Sequence, residues 1–337
     1  MESFVSLGNS YSNEYKICAL QNAAALSFAF FNMILNFLVL AIIHERVPDE
    51  GRLPDLSFDI LPEAPWTLNI TEYIISVQAF LVLTLLFLHK YRVILLRRLC
   101  ILMGIVYLAR AICMSSTQVP LINSRNSTLN YCAPKMTPEQ KASWNYYLSE
   151  IVRRVFHMML GFGLSINGKH NYCGDYIFSG HTTSLTMFYL FLREYMLPKV
   201  TKSSIQWAIF HAILFSSSFC GVVLVLVARG HYLIDVLVAY FITTATFYIY
   251  HTIIHNKSLR YANQKNYLSR FWWWHLMKYI EYDHVICSSS SSRSNGVCLR
   301  CESVNTEVPR AFDWPFSWPR VSDERRSTSL QRLLSQT

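Results

Sequence analysis

Six stretches of mostly apolar residues follow one another along the chain, at about 22–43, 70–88, 99–117, 178–197, 205–227 and 232–255. Each is close to the length of helix, about 20 residues at about 1.5 Å per residue, that crosses a hydrocarbon core roughly 30 Å thick. This pattern leaves little room for a water-soluble fold. Charged residues make up only 15% of the 337, where a soluble domain carries about 25%. An aromatic content of 15% excludes disorder for most of the chain. With 11 Gly and 9 Cys, collagen-like and disulfide-scaffold classes fall away too. The first block exceeds the apolar core of a signal peptide, about 7–15 residues, and reads as an uncleaved span. The expectation is an all-α integral membrane protein with six transmembrane helices. It divides into a short N-terminus (1–20), a transmembrane catalytic domain (21–255) and a C-terminal tail (256–337).

The net charge of +9 has two readings, nucleic-acid binding or membrane orientation. Position decides. The connector 89–98 carries four Lys/Arg, the connector 193–202 three and the tail twelve. The loop 44–69 on the other side has two against six acids. The positive-inside rule then places both termini in the cytosol and accounts for the basic excess without a nucleic-acid partner. Sequons at Asn69 and Asn126 fall on lumenal loops, and one at Asn256 falls on the cytosolic side. The stretch 151–170 has a shorter apolar core, 155–166, interrupted by Gly161 and Gly163. It reads as interfacial or re-entrant rather than spanning.

Polar residues with chemical potential gather at helix ends on one side of the membrane. The fourth block opens with Cys173-Gly-Asp175-Tyr-Ile-Phe-Ser179-Gly-His181-Thr182, and the sixth with His231-Tyr232-Leu-Ile-Asp235. Two helix N-termini facing one another would favour an anion such as phosphate. The spacing His231-x3-Asp235 sets a carboxylate one turn from an imidazole, where it can hold one ring nitrogen and leave the other free to attack. Arg110 lies 12 residues after Arg98, about 18 Å along a helix and toward the lumen. A charge at that depth is a functional candidate by default. Tyr107, Arg110, Met114 and Thr117 share one helical face. Arg229, two residues before His231, is a second candidate phosphate clamp.

These residues resemble the sphingomyelin synthase family. Leu53-Pro-Asp55-Leu corresponds to the family's Pro-Leu-Pro-Asp loop motif, with Arg52 and Leu53 where Pro-Leu would stand. Arg97-Arg98-x8-Tyr107-x2-Arg110-x6-Thr117 matches its second motif, and the Cys173–Thr182 run matches its third. His231-Tyr-x2-Asp235-Val-x3-Tyr240-x6-Phe247-x2-Tyr250-His251 matches its fourth, with Leu233 in place of the usual Thr. Trp314-Pro-Phe-Ser-Trp-Pro319 is similar to the family's tail. The likeness covers about 40–320 and implies a helical bundle similar to the lipid phosphate phosphatases. It also implies transfer of phosphocholine from phosphatidylcholine to ceramide, giving sphingomyelin and diacylglycerol. On this resemblance His181, His231 and Asp235 take the catalytic positions. His231 is expected to attack phosphorus and His181 to carry protons. Arg110, Arg229 and Ser179 are expected at the phosphate, with Tyr107, Asp175 and Tyr232 toward choline. No cofactor or metal is called for. The Golgi and the plasma membrane both suit a lumenal or extracellular site, and self-association stays open.

Three other readings stay open at this point. The headgroup could be ethanolamine, the acceptor could be water, or the chain could be a transporter or scaffold. Cys132 and Cys173 lie on or near the lumenal side, where a disulfide is open to them, though pairing cannot be read from sequence. His284, Cys287, Cys298 and Cys301 have a weak zinc-like spacing, with a flexible or palmitoylated tail as the plainer readings. Trp272–Trp274 is expected in the interfacial aromatic belt. His211 and Ser216–Ser218 read as helix-packing groups. His251 is too far along its helix from His231 to join the site.

Overall fold

The computed structural model describes residues 2–49, 51–89, 92–123, 132–161, 163–164, 172–196, 205–256, 259 and 266–281, with side chains from residue 19 onward. Ten α-helices are described: α1 (Glu2–Ile43), α2 (Leu56–Ile60), α3 (Thr67–Leu88), α4 (Arg92–Ser116), α5 (Pro138–Ala142), α6 (Trp144–Leu160), α7 (Gly180–Tyr195), α8 (Ile205–Val227), α9 (Leu233–His255) and α10 (Trp274–Ile280). Five helical stretches are long and apolar enough to cross a membrane: Ala19–Ile43, Thr67–Leu88, Arg92–Ser116, Ile205–Val227 and Leu233–His255. The fourth expected span, α7, has only 16 residues, about 24 Å of helix. It is also the most enclosed, packed against α3, α4, α8 and α9. Its Phe191 and Leu192 are fully buried in the main core with Leu102, Val106 and Tyr250. A helix shielded by its neighbours need not carry a long apolar exterior.

Polar bonds tie α3 to α8 where a membrane offers no hydrophobic drive between helices. Thr67 and Thr71 donate to the carbonyls of Leu224 and Gly221, and Gln78 donates to Ser217 and Ser218. This assigns Ser217 and Ser218 the packing role expected of them. His211 meets the Tyr189 hydroxyl at 2.9 Å, again between neighbouring helices.

Two expectations change. The stretch 151–170 starts earlier than expected, as the amphipathic α6. Its inner face, Ile151, Val155 and Met158, packs on Phe37, Leu40 and Ala41 of α1. It is pinned there by Arg154, which donates to Glu45 at 2.6 Å with both side chains buried. Trp144, Leu148, Val152, Phe156 and Leu160, four residues apart along its length, are exposed. The second change concerns the end of the bundle remote from the site. Arg98, counted among the topogenic charges of the connector 89–98, is 1% exposed and paired with Glu281 at 3.3 Å. Arg97 lies 3.8 Å from the same carboxylate, and the Tyr250 hydroxyl donates to it at 2.9 Å. Arg98 also reaches Tyr195, whose hydroxyl meets His251 at 2.7 Å. The packed body therefore continues past His255. The segment Trp273–Ile280 closes this end, with Trp273 and Trp274 buried and only Trp272 of the three exposed. Burial tends to raise the Glu281 pKa, but Arg98 and Arg97 outweigh it and hold the carboxyl below its ordinary range.

Removing Glu281 leaves Arg98 buried without its charge partner. Glu281→Ala is expected to destabilise the folded protein by about 3–5 kcal/mol, read as a lowered unfolding midpoint in detergent. Replacing both partners by Met is expected to recover most of the loss. The carboxyl is held low in the fold, so its contribution is present at neutral pH and is lost as pH falls through that depressed value. An unchanged midpoint for Glu281→Ala would show that the pair is not holding this end together.

Candidate active site

The first turns of α7 and α9 meet end to end, and Asp235 joins them. Tyr232 sits in extended conformation as the N-cap of α9, so its N–H points back along the turn and donates to Asp235 Oδ2 at 2.9 Å. The other oxygen accepts from the Ile177 N–H at 2.7 Å, and the Asp235 carbonyl accepts from the Ser179 N–H at 3.2 Å. Ile177 holds φ = 71°, a left-handed conformation that is costly for a β-branched residue. Its N–H bond to the buried carboxylate is the local compensation. Ser179 in turn caps α7, accepting from the Thr182 N–H. Ser179, expected at the phosphate, therefore has its hydroxyl already engaged as a cap.

His231 is buried beside this junction. Its Nδ1 lies 3.4 Å from Asp235 Oδ2, and its Nε2 lies 3.9 Å from Asp175 Oδ2. The first distance is longer than an ordinary hydrogen bond. Catalytic contacts of this kind commonly tighten once substrate is seated. The His181 ring stands across from it, with centroids 5.8 Å apart at an interplanar angle of 65°. His181 Nε2 lies 3.5 Å from Glu72 Oε1, a carboxylate 1% exposed. Its Nδ1 has no hydrogen-bond partner among the described residues. Each imidazole is thus backed by a buried acid on one nitrogen.

Arg110 braces the site from α4. Its Nε donates to the Phe178 carbonyl at 3.0 Å, Nη1 to Asn36 Oδ1 at 2.7 Å and Nη2 to Asp175 Oδ2 at 2.9 Å. Asn36 also donates to the Tyr107 carbonyl. Gly180 lets Arg110 approach closely here: a Cβ would stand 3.1–3.4 Å from the guanidinium, which would have to give by a few tenths of an ångström. Burial alone would raise the pKa of Asp175. The neighbouring His231, Arg110 and His181 outweigh it and hold the carboxyl below its ordinary value. About a fifth of the Asp175 side chain remains exposed, so the paired acid is reachable.

The irregular run before α7 is fixed to the C-terminal end of α1 and the turn after it. Cys173 is disulfide-bonded to Cys132, with Cα atoms 5.5 Å apart, and its N–H donates to His44 Nδ1 at 3.0 Å. Gly174, at φ = 124°, passes so close to the end of α1 and the turn after it that a Cβ would lie 3.1 Å from Ile43 and 2.6 Å from Val47. The pairing left undecided by sequence is therefore Cys132 with Cys173.

The predicted site residues separate into two groups. His181, His231, Asp235, Asp175 and Arg110 come together, and Tyr107 lies one turn before Arg110 on α4. Arg229 and Tyr232 face the loop that covers α9. Arg229 Nη2 donates to the carbonyls of Phe58 and Leu61, and its guanidinium lies 4.5 Å from the Phe58 ring centroid. The Tyr232 hydroxyl donates to the Pro120 carbonyl at 3.1 Å and accepts from the Leu53 N–H at 3.3 Å. His251 lies at the far end, as expected. His284, Cys287, Cys298, Cys301, Asn126 and the segment 314–319 lie outside the described residues. Sequence reasoning missed Glu72 and Asn36. Both carry polar groups inside apolar blocks, the signal that picked out Arg110.

Comparison with known proteins fits this geometry. A family profile described as PAP2 superfamily C-terminal matches residues 172–252, the stretch that holds both imidazoles and Asp235. The human protein named phosphatidylcholine:ceramide cholinephosphotransferase 2 is 32% identical over 310 residues, covering 91% of this chain and 74% of that protein. The mouse protein named phosphatidylcholine:ceramide cholinephosphotransferase 1 is 34% identical over 316 residues, covering 93% of this chain and 66% of that protein. Similarity that runs through almost the whole chain, and not only through the paired histidines, means that the chain belongs to the phosphatidylcholine:ceramide cholinephosphotransferases, the sphingomyelin synthases.

Proposed function

We propose that this chain transfers phosphocholine from phosphatidylcholine to the primary hydroxyl of ceramide, releasing diacylglycerol and forming sphingomyelin. The observation that carries the reading is the pair of imidazoles, 5.8 Å apart and each backed by a buried carboxylate. Two such groups suit a reaction needing both a nucleophile and a proton carrier.

In this mechanism Asp235 holds His231 Nδ1 as N–H, so Nε2 carries the lone pair. Nε2 attacks phosphorus while the bond to the diacylglycerol oxygen breaks. His181, oriented by Glu72, gives its proton to that oxygen, and phosphocholine is left on His231. The same His181 then takes the proton of the ceramide hydroxyl, whose oxygen attacks phosphorus and expels His231. Arg110 faces the charge that develops on the phosphoryl oxygens, through the second N–H that each terminal nitrogen carries. Asp175 and Tyr107 stand on the choline side of this arrangement. Arg229 lies farther out, with its Nη2 engaged on the loop carbonyls, and is the weaker of the two phosphate clamps.

The membrane arrangement proposed with this function has six spans, α7 being the shortest, and both termini in the cytosol. The site then faces the Golgi lumen or the cell exterior. Successive helices alternate in direction between the site and the Arg98–Glu281 end, which supports an even count. The disulfide beside the site supports an oxidising side. The apolar outer stripe of α6 supports a place for that helix along the lumenal leaflet.

Protein reconstituted with headgroup-labelled phosphatidylcholine and ceramide is expected to move the label into sphingomyelin. His231→Ala is expected to lower this rate by at least about 10⁴-fold while remaining folded. Free labelled phosphocholine would indicate hydrolysis instead. Preference for labelled phosphatidylethanolamine would reassign the headgroup. The topology has its own check. With thiols blocked at cell lysis, peptide mapping without reductant is expected to recover Cys132 linked to Cys173. Alkylated Cys132 and Cys173 would contradict a lumenal site.

A further inference from the structure

We infer that the loop between the first two spans is a clip that sets the position of the catalytic helix α9, with Asp55 as its positioning residue. The inference rests on reading His231 and Asp235 as the reacting pair. A helix start leaves its first N–H groups without partners inside the helix. In α9 the first of these belongs to Leu233, and it donates to Asp55 Oδ2 at 2.7 Å. The other oxygen of Asp55 accepts from the Ser57 N–H at 2.8 Å and the Ser57 hydroxyl at 2.6 Å. One carboxylate therefore caps two helices, its own short α2 and the remote α9, across 178 residues of sequence. Burial disfavours the charge on Asp55, but the Ser57 side chain and the Leu233 N–H outweigh it and keep the carboxyl ionised below its ordinary value.

Contacts on either side of Asp55 repeat the same connection. Before it, the Leu53 N–H donates to the Tyr232 hydroxyl. After it, Arg229 binds the carbonyls of Phe58 and Leu61, and the Ala64 N–H donates to the Val227 carbonyl at 3.0 Å. Phe58 packs between the rings and cations of this turn, 5.5 Å from Tyr232 and 4.5 Å from Arg229. Residues 227–233 are thus held along their length by 53–64, and His231 lies in the middle of that span. Arg229 itself is left-handed, at φ = 58°, a conformation the clip stabilises. These contacts join a loop residue to the catalytic turn without touching the reacting atoms. Asp55 acts through the placement of His231 opposite His181.

The backbone offers a direct test, because proline is tolerated at the first position of a helix and lacks an N–H. Tyr232, at φ = −74° and ψ = 158°, already has the extended conformation that a following proline needs. Leu233→Pro therefore deletes the donor to Asp55 and leaves the helix able to start. Leu233→Ala controls for the lost side chain, and Ser57→Ala for the hydroxyl bond to Asp55, since it keeps the N–H that Asp55 caps. In full-length reconstituted protein, Asp55→Ala and Leu233→Pro are each expected to lower kcat about 10–100-fold with KM little changed. Their double variant is expected to lose no more than either alone. Leu233→Ala and Ser57→Ala are expected to stay near wild type. Wild-type kcat in folded Asp55→Ala or Leu233→Pro, or fully multiplicative losses in the double variant, would overturn the clip. Activity retained by His231→Ala would instead overturn the catalytic reading on which it rests.

Discussion

The site depends on Asp235, a buried carboxylate that does two things at once. It accepts two backbone N–H groups, from Ile177 and Tyr232, and it stands 3.4 Å from the ring of His231. The first role fixes the starts of α7 and α9 against each other. The second orients the imidazole proposed as the nucleophile. A side chain serving both cannot be replaced by one that merely carries charge, because the backbone bonds and the ring contact use the same two oxygens. The strained Ile177 shows how much local geometry is subordinated to this junction.

Around it, carboxylates are paired with arginines or an imidazole of the protein itself. Arg110 meets Asp175 and Asn36, His181 meets Glu72, and Arg154 meets Glu45. A charge in a bilayer is costly unless satisfied, so such pairs also act as fixed points for the helices that bear them. The far end repeats the device with Arg98, Glu281 and Tyr250. The second family motif is therefore divided in function. Its Arg97 and Arg98 hold the closing segment, and its Arg110, about 18 Å along the helix, stands at the candidate site, where it is proposed to face the phosphate.

Much of this was legible in the sequence, and for physical reasons. Apolar blocks of membrane length located the long helices, and 205–227 coincides with α8. The spacing of His231 and Asp235 gave a true contact because one helical turn leaves few alternatives. The rest depends on partners remote in the chain. Nothing local to Arg98 announces Glu281, and nothing local to Asp55 announces Leu233, since both pairings arise only when the bundle closes. Trp273 and Trp274 looked like belt residues because composition cannot distinguish a ring facing lipid from one covered by its own chain. Tyr232 and Arg229, one and two residues from His231 in sequence, face the covering loop, Arg229 from a left-handed backbone that spacing alone does not reveal.

In the proposed mechanism phosphocholine rests on His231 between the two lipids. Stereochemistry at phosphorus tests it most directly. Phosphatidylcholine made chiral at phosphorus with oxygen isotopes would be converted by the reconstituted protein in the presence of ceramide, and the configuration of the sphingomyelin formed would be determined. Two successive in-line displacements, on and then off His231, predict overall retention. Inversion would mean that ceramide attacks phosphatidylcholine directly, and would contradict the account.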